Sequence, residues 1–117
     1  MSFINFSNHP SVQWGNEQLK KAKEFGEVID LAFPSVSPEA DENEIARLAE
    51  AFAGKILGMA PAAVMIQGEF TLAFAVVSRL KREGIRCLAA CSNRLVEEKD
   101  NVKLVRFDFV RFREYIP

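Results

Sequence analysis

Four short apolar runs alternate along the chain with segments whose apolar positions recur every three or four residues. The first run, Phe3-Ile4-Asn5-Phe6, stops at Ser7-Asn8-His9-Pro10, where a proline after a polar cluster marks a turn, so it predicts a strand leading into a loop. Asn16 is placed to cap a helix whose apolar positions Leu19, Ala22 and Phe25 lead to a stop at Gly26. Val28-Ile29-Asp30-Leu31 predicts a second strand, closed by Phe33-Pro34. Pro38 and Asp41 then offer two staggered starts for a helix with the buried face Ile45, Leu48, Ala49, Phe52 and Ile56. Ala62 to Ile66 is a continuous apolar run, as a strand buried on both faces requires. A helix from about Phe70 to Glu83 is apolar nearly all round and is expected to be largely buried, with Gly84 as its stop. Ile85 to Cys91 predicts a fourth strand ending in Ser92-Asn93-Arg94.

The last stretch changes period. Val105, Phe107 and Phe109 alternate with charged residues, and the apolar parity then shifts to Val110 and Phe112. One extra residue reverses the side of every later side chain, so a bulge or sharp bend is expected near Phe109, in an edge strand or hairpin. Leu95 to Asn101, polar for the most part, reads as a mobile linker. Strand and helix therefore alternate as βαβαβαβ with a final strand or two, and this predicts one α/β domain over residues 1–117. Its class is Rossmann-like: three layers around a mainly parallel sheet with an antiparallel C-terminal edge strand or hairpin.

Composition narrows the picture without naming a function. At 117 residues, 49% hydrophobic and 26% charged, the chain is of ordinary globular make-up and of single-domain size. No apolar stretch is long enough to span a bilayer, and Met1-Ser2-Phe3 has no basic leader, so a cytoplasmic location without membrane contact is the default. Cys87 and Cys91 fit a reduced compartment, and with one histidine and no CxxC pair no metal site or other cofactor is expected. A net charge of −1 argues against general DNA binding. The charge is uneven, however: residues 1–78 carry five basic and ten acidic side chains, and residues 79–117 ten basic and six acidic, which leaves room for a local anion site.

In an open α/β sheet, ligands bind beyond the carboxyl ends of the strands, where the strand order reverses. The loops to inspect are therefore Ser7-Asn8-His9, Asp30 with Phe33-Pro34, Gln67-Gly68-Glu69-Phe70-Thr71 and Cys91-Ser92-Asn93-Arg94, and the order 2-1-3-4 would set the first and third side by side. Gly68 permits close backbone approach, and the N–H groups of the next helix start, with Thr71, suit a phosphate, although Glu69 there equally favours the helix itself. Ser7, Asn8, Ser92 and Asn93 are good anion donors and equally good turn formers. Arg94, just beyond a buried strand end, suits bidentate phosphate contact or equally a surface ion pair, and His9 is either a proton-transfer group or a loop residue with a local hydrogen bond. Trp14 is either a base-stacking surface or a packing anchor. The tail phenylalanines read as core or dimer contacts.

The segments Asn5-Phe6-Ser7-Asn8-His9-Pro10, Gln67-Gly68-Glu69-Phe70-Thr71 and Phe109-Val110-Arg111-Phe112-Arg113-Glu114-Tyr115 look like those of small uncharacterised bacterial proteins. The layout over nearly the whole chain is similar to the CRISPR-associated Rossmann-fold (CARF) domains and the stand-alone ring nucleases. That resemblance implies a homodimer that binds a cyclic oligoadenylate, with Ser7 to His9 and Gly68 to Thr71 holding phosphates and adenines and Arg94 facing the ring. It implies metal-independent cleavage in which a ribose 2′-OH attacks its own phosphodiester. Ser7 and Asn8 would orient the phosphate, Arg94 and the helix start would stabilise its charge, and His9 would move a proton. A second resemblance, to nucleoside 2-deoxyribosyltransferases, implies Glu69 as a nucleophile with Asp30 nearby. The third reading is a ligand-sensing or assembly module with no turnover.

Overall fold

The computed structural model describes residues 1–117. Its elements are β1 (Ser2–Ser7), α1 (Asn16–Lys23), β2 (Glu27–Ala32), α2 (Glu42–Gly58), β3 (Ala63–Gln67), α3 (Phe70–Arg82), β4 (Cys87–Lys99) and β5 (Val102–Glu114). The five strands form one sheet in the order β2-β1-β3-β4-β5, parallel except for the antiparallel β4–β5 pair. The chain is thus a Rossmann-like α/β domain, and the strand order reverses between β1 and β3.

Alternation along each strand divides the core in two, because successive side chains point to opposite faces of the sheet. On one face Ile4, Phe6, Val64, Ile66 and Cys87 pack beneath α2 and α3. On the other Phe3, Ala63, Met65 and Leu88 meet Ala22 of α1, with Trp14, Phe25 and Phe112 around the margin. Of the two starts offered to α2, the chain uses Asp41, whose carboxylate accepts a hydrogen bond from the Glu44 N–H at 2.9 Å. A cap of this kind is worth about 1 kcal/mol. Asn16 is not a cap: it is the first residue of α1, and Gly15 holds the capping position with no side chain to offer. Gly26 is required where α1 turns into β2, since its φ of 150° is open to glycine and a Cβ there would run into the Met1 carbonyl.

Two further expectations change. The outer face of α3 is not covered: Leu72, Val76 and Leu80 are fully buried, but Phe70 and Phe74, one turn apart, are 89% and 74% exposed. Residues 95–101 are not a linker either. β4 continues unbroken to Lys99, turns through Asp100 and Asn101, and returns as β5, so that Arg94 lies opposite Phe107 and Val96 opposite Val105. Both turn residues are left-handed, with φ of 52° and 64°, which is the conformation a two-residue hairpin turn demands. The register shifts between Cys91 and Ser92, opposite Arg111 and Phe109, and leaves Val110 as the extra residue beside the expected position. Past this bulge the hairpin stands clear of the sheet as a two-stranded ribbon. It raises the radius of gyration to 15.5 Å, against about 13 Å for a compact chain of this length.

Candidate functional site

The site begins at a fork. β4 pairs with β3 only through Val64↔Cys87 and Met65↔Leu88, after which the strands part and the Gln67 side chain fills the gap, its Oε1 accepting from the Ala90 N–H at 2.7 Å. Where a ladder bond would have been, a side chain stands, and the space beyond it is open. On the α1 face this opening is a cleft of about 870 Å³. Met65, Gln67, Ala90 and Ser92 form its floor, Phe107 and Phe109 one wall, and Trp14, Gln18 and the first turn of α1 the other. On the opposite face a smaller cleft of about 400 Å³ lies between Asn8, Gly68, Phe70 and Tyr115. His9 and Gln67 border both.

The loop that carries His9 is held from below. Asn5, almost fully buried, donates from Nδ2 to the His9 carbonyl at 2.8 Å and to Asp30 Oδ1 at 3.0 Å, and its Oδ1 accepts from the Ser7 hydroxyl at 2.6 Å. The Ser7 hydroxyl oxygen in turn accepts from the His9 N–H at 3.1 Å, and Asp30 accepts from the N–H and hydroxyl of Ser11. Trp14 Nε1 donates to the same His9 carbonyl at 3.2 Å while its ring meets Phe3 edge-on at 6.2 Å. Ser7 and Asp30 are therefore tied into the loop's own hydrogen bonds, and the Trp14 ring has a fixed position at the cleft wall.

The residues expected to form one anion site are divided. His9 and Ser92 line the larger cleft, and Asn8, His9 and Gly68 the smaller one. Asn93 and Arg94 sit within the ribbon opposite Asp108 and Phe107 and line neither. At the start of α3 the Glu69 carboxylate accepts from the N–H groups of Leu72 at 2.8 Å and Thr71 at 3.0 Å and from the Thr71 hydroxyl. These bonds, that from Leu72 first, hold the Glu69 carboxyl below its usual range. A negative group thus already occupies the helix start, which opposes a phosphate in the same place. Gly68 answers to packing: a Cβ there would lie 2.6 Å from three ring atoms of Phe33.

The larger cleft's character is set by residues that the strand-end rule alone does not find. Its lining has two carboxylates, Glu17 and Asp108, three glutamines, Gln13, Gln18 and Gln67, and no lysine or arginine. The signal for Phe107 and Phe109 was the alternation in the tail, but their place at the cleft follows from the ribbon's path. Tyr115 closes the smaller cleft, donating from its hydroxyl to the Ile66 carbonyl at 2.7 Å, and burial pushes its pKa up. No three His, Cys, Asp or Glu side chains gather where they could hold a metal ion, and no helix is long and apolar enough to cross a membrane.

Residues 1–113 match the model of the family described as Uncharacterized protein MJ1673 family. The chain belongs to that family. No curated protein and no solved structure matches it. The match covers every element of the fold except the final residue of β5, so the fork between β3 and β4, the His9 loop and the ribbon all lie within the family's span.

Proposed function

We propose that the chain is a binding module for a nucleotide-type ligand, taken up by its base in the larger cleft, and that it works without turnover. The observation that carries this reading is the make-up of the cleft: Trp14, Phe107 and Phe109 offer aromatic faces, glutamine side chains offer paired donors and acceptors, and no lysine or arginine is present to hold a phosphate. Stacking a base on an aromatic ring contributes about 1–3 kcal/mol, and amides suit the edge of a base in either sense of hydrogen bonding. The sugar and any phosphate would remain at the open rim, toward His9.

Cleavage of a cyclic oligoadenylate and deoxyribosyl transfer have less support. The Ser7 hydroxyl is engaged with Asn5, Glu69 is engaged at the start of α3, and Arg94 stands outside both clefts. A homodimer belongs to the proposal, because the ribbon exposes Leu104, Phe107 and Val110 by more than half.

The single tryptophan lies at the cleft, so its fluorescence reports occupancy directly. A titration with adenosine, AMP, cyclic tetra-adenylate and inorganic phosphate, paired with a thermal shift, is expected to respond to the first three and not to phosphate. Trp14→Leu, followed by calorimetry, keeps an apolar side chain against Phe3 and is expected to weaken binding about tenfold. A response to phosphate alone, or none to any base-containing compound, removes the reading.

A further inference from the structure

We propose that β5 pairs with β5 of a second copy of this chain, antiparallel and centred on Phe107, to join two sheets into one of ten strands. This rests on the homodimer reading above and names its surface; it does not depend on a ligand.

β5 has 13 residues, forms the edge of the sheet, and has β4 as its only partner. Its outer side therefore presents a long row of backbone N–H and C=O groups, the feature that templates strand addition. The other edge strand, β2, is six residues long.

The register follows from symmetry and charge. A two-fold axis perpendicular to the sheet keeps each side chain on its own face, so Val105, Phe107 and Phe109 of both copies share one side. The axis must then pass midway between the two copies of one residue, and four positions near the middle of the ribbon are open to it. Centring on Arg106 or on Asp108 sets like charges directly opposite, which is destabilising. Centring on Val105 leaves Asp108 facing Val102. Centring on Phe107 sets Arg106 opposite Asp108 twice over, Phe107 opposite Phe107, and Val105 opposite Phe109. Arg106 and Asp108 already lie on one face, paired at 3.1 Å within the strand, so the dimer converts two local pairs into a four-charge network. Phe107, 66% exposed in one copy, is covered by its own symmetry mate. Because Phe107 and Phe109 also wall the larger cleft, the two clefts come to flank the axis on the same side of the joined sheet.

The test combines light scattering with single-cysteine cross-linking in a Cys91→Ser background, Cys87 being buried. Phe107→Cys is expected to form a disulfide-linked dimer on mild oxidation. Leu104→Cys is expected to form none, since the two copies of that position would be about 20 Å apart, six residues of strand. Arg106→Asp is expected to weaken the dimer about tenfold, and adding Asp108→Arg to restore it. A chain that is monomeric at 100 µM, on the order of the upper limit for a useful dimer, removes the homodimer reading altogether. A dimer that cross-links at Leu104 as readily as at Phe107, or that ignores the charge reversal, keeps the homodimer but overturns this surface, and the exposed Phe70 and Phe74 of α3 then become the place to look.

Discussion

Gly68 separates two accounts of the strand-end loop, because a glycine kept for a ligand and a glycine kept for packing respond oppositely to one added methyl. In Gly68→Ala the new Cβ would lie 2.6 Å from Cγ, Cδ1 and Cε1 of Phe33. That ring is buried and cannot swing aside, since it stacks on Phe6 at a centroid distance of 4.7 Å, and Phe6 in turn on Phe52 at 5.1 Å. Overpacking of this kind costs about 1–3 kcal/mol, partly offset by about 0.4–1 kcal/mol from the stiffer unfolded chain. The net of about 1–2 kcal/mol corresponds to a fall in Tm of about 4–8 °C for a domain of this size. Gly54→Ala in the middle of α2 is the control of opposite sign: nothing lies within 4 Å of its Cβ, and helix propensity is expected to stabilise it by about 0.5–1 kcal/mol. Urea denaturation of Gly68→Ala, Phe33→Leu and the double variant closes the cycle, with a coupling of about 1 kcal/mol or more expected because leucine lacks the ring atoms the methyl meets. If Gly68→Ala is as stable as the parent while ligand binding is lost, the packing account is refuted.

Three further outcomes follow from the same contacts. Asn5→Ala leaves the His9 carbonyl, the Ser7 hydroxyl and Asp30 short of a partner at a site that is 1% exposed, and chemical denaturation is expected to show a loss of about 2–3 kcal/mol. Glu69 has a folded-state pKa held below its ordinary value, so its stabilising contribution is complete above pH 4.5 and is lost as pH falls through the lower folded value. Glu69→Gln is therefore expected to flatten the acid limb of a stability–pH curve while leaving any binding in the larger cleft intact. Burial pushes the Cys87 thiol up to about 11, so Ellman's reagent at pH 8 is expected to titrate Cys91 alone in the native protein and both thiols in urea; prompt reaction of two thiols without denaturant would contradict the burial of Cys87.

Much of the fold was legible along the chain because burial imposes period. Ala63 to Ile66 lies between two layers and must be apolar throughout, and α2 has one covered face and reads at helical spacing. The bulge showed itself in the same way, as a change of parity on either side of Val110. The distal half of β4 escaped because a two-stranded ribbon open on both sides buries nothing consistently. Leu95 to Lys99 therefore has no alternation to detect, and its turn is Asp100-Asn101 rather than a glycine pair.

The chemistry at the strand ends was legible only as an inventory of polar residues. Whether Ser7, Glu69 and Arg94 face a ligand or the protein itself depends on the path of the backbone around each, and here the bond from Ser7 to Asn5, the first turn of α3 closing on Glu69 and the ribbon's departure from β3 decided it. Local period and turn chemistry were enough to lay down the layering and the ends of β1, β2 and β3. Tertiary structure alone decided that β3 and β4 separate after two paired residues, because that depends on Gln67 reaching a backbone N–H 23 residues away. It is this separation, with Trp14 and Phe107 brought to either side, that gives the protein a cleft.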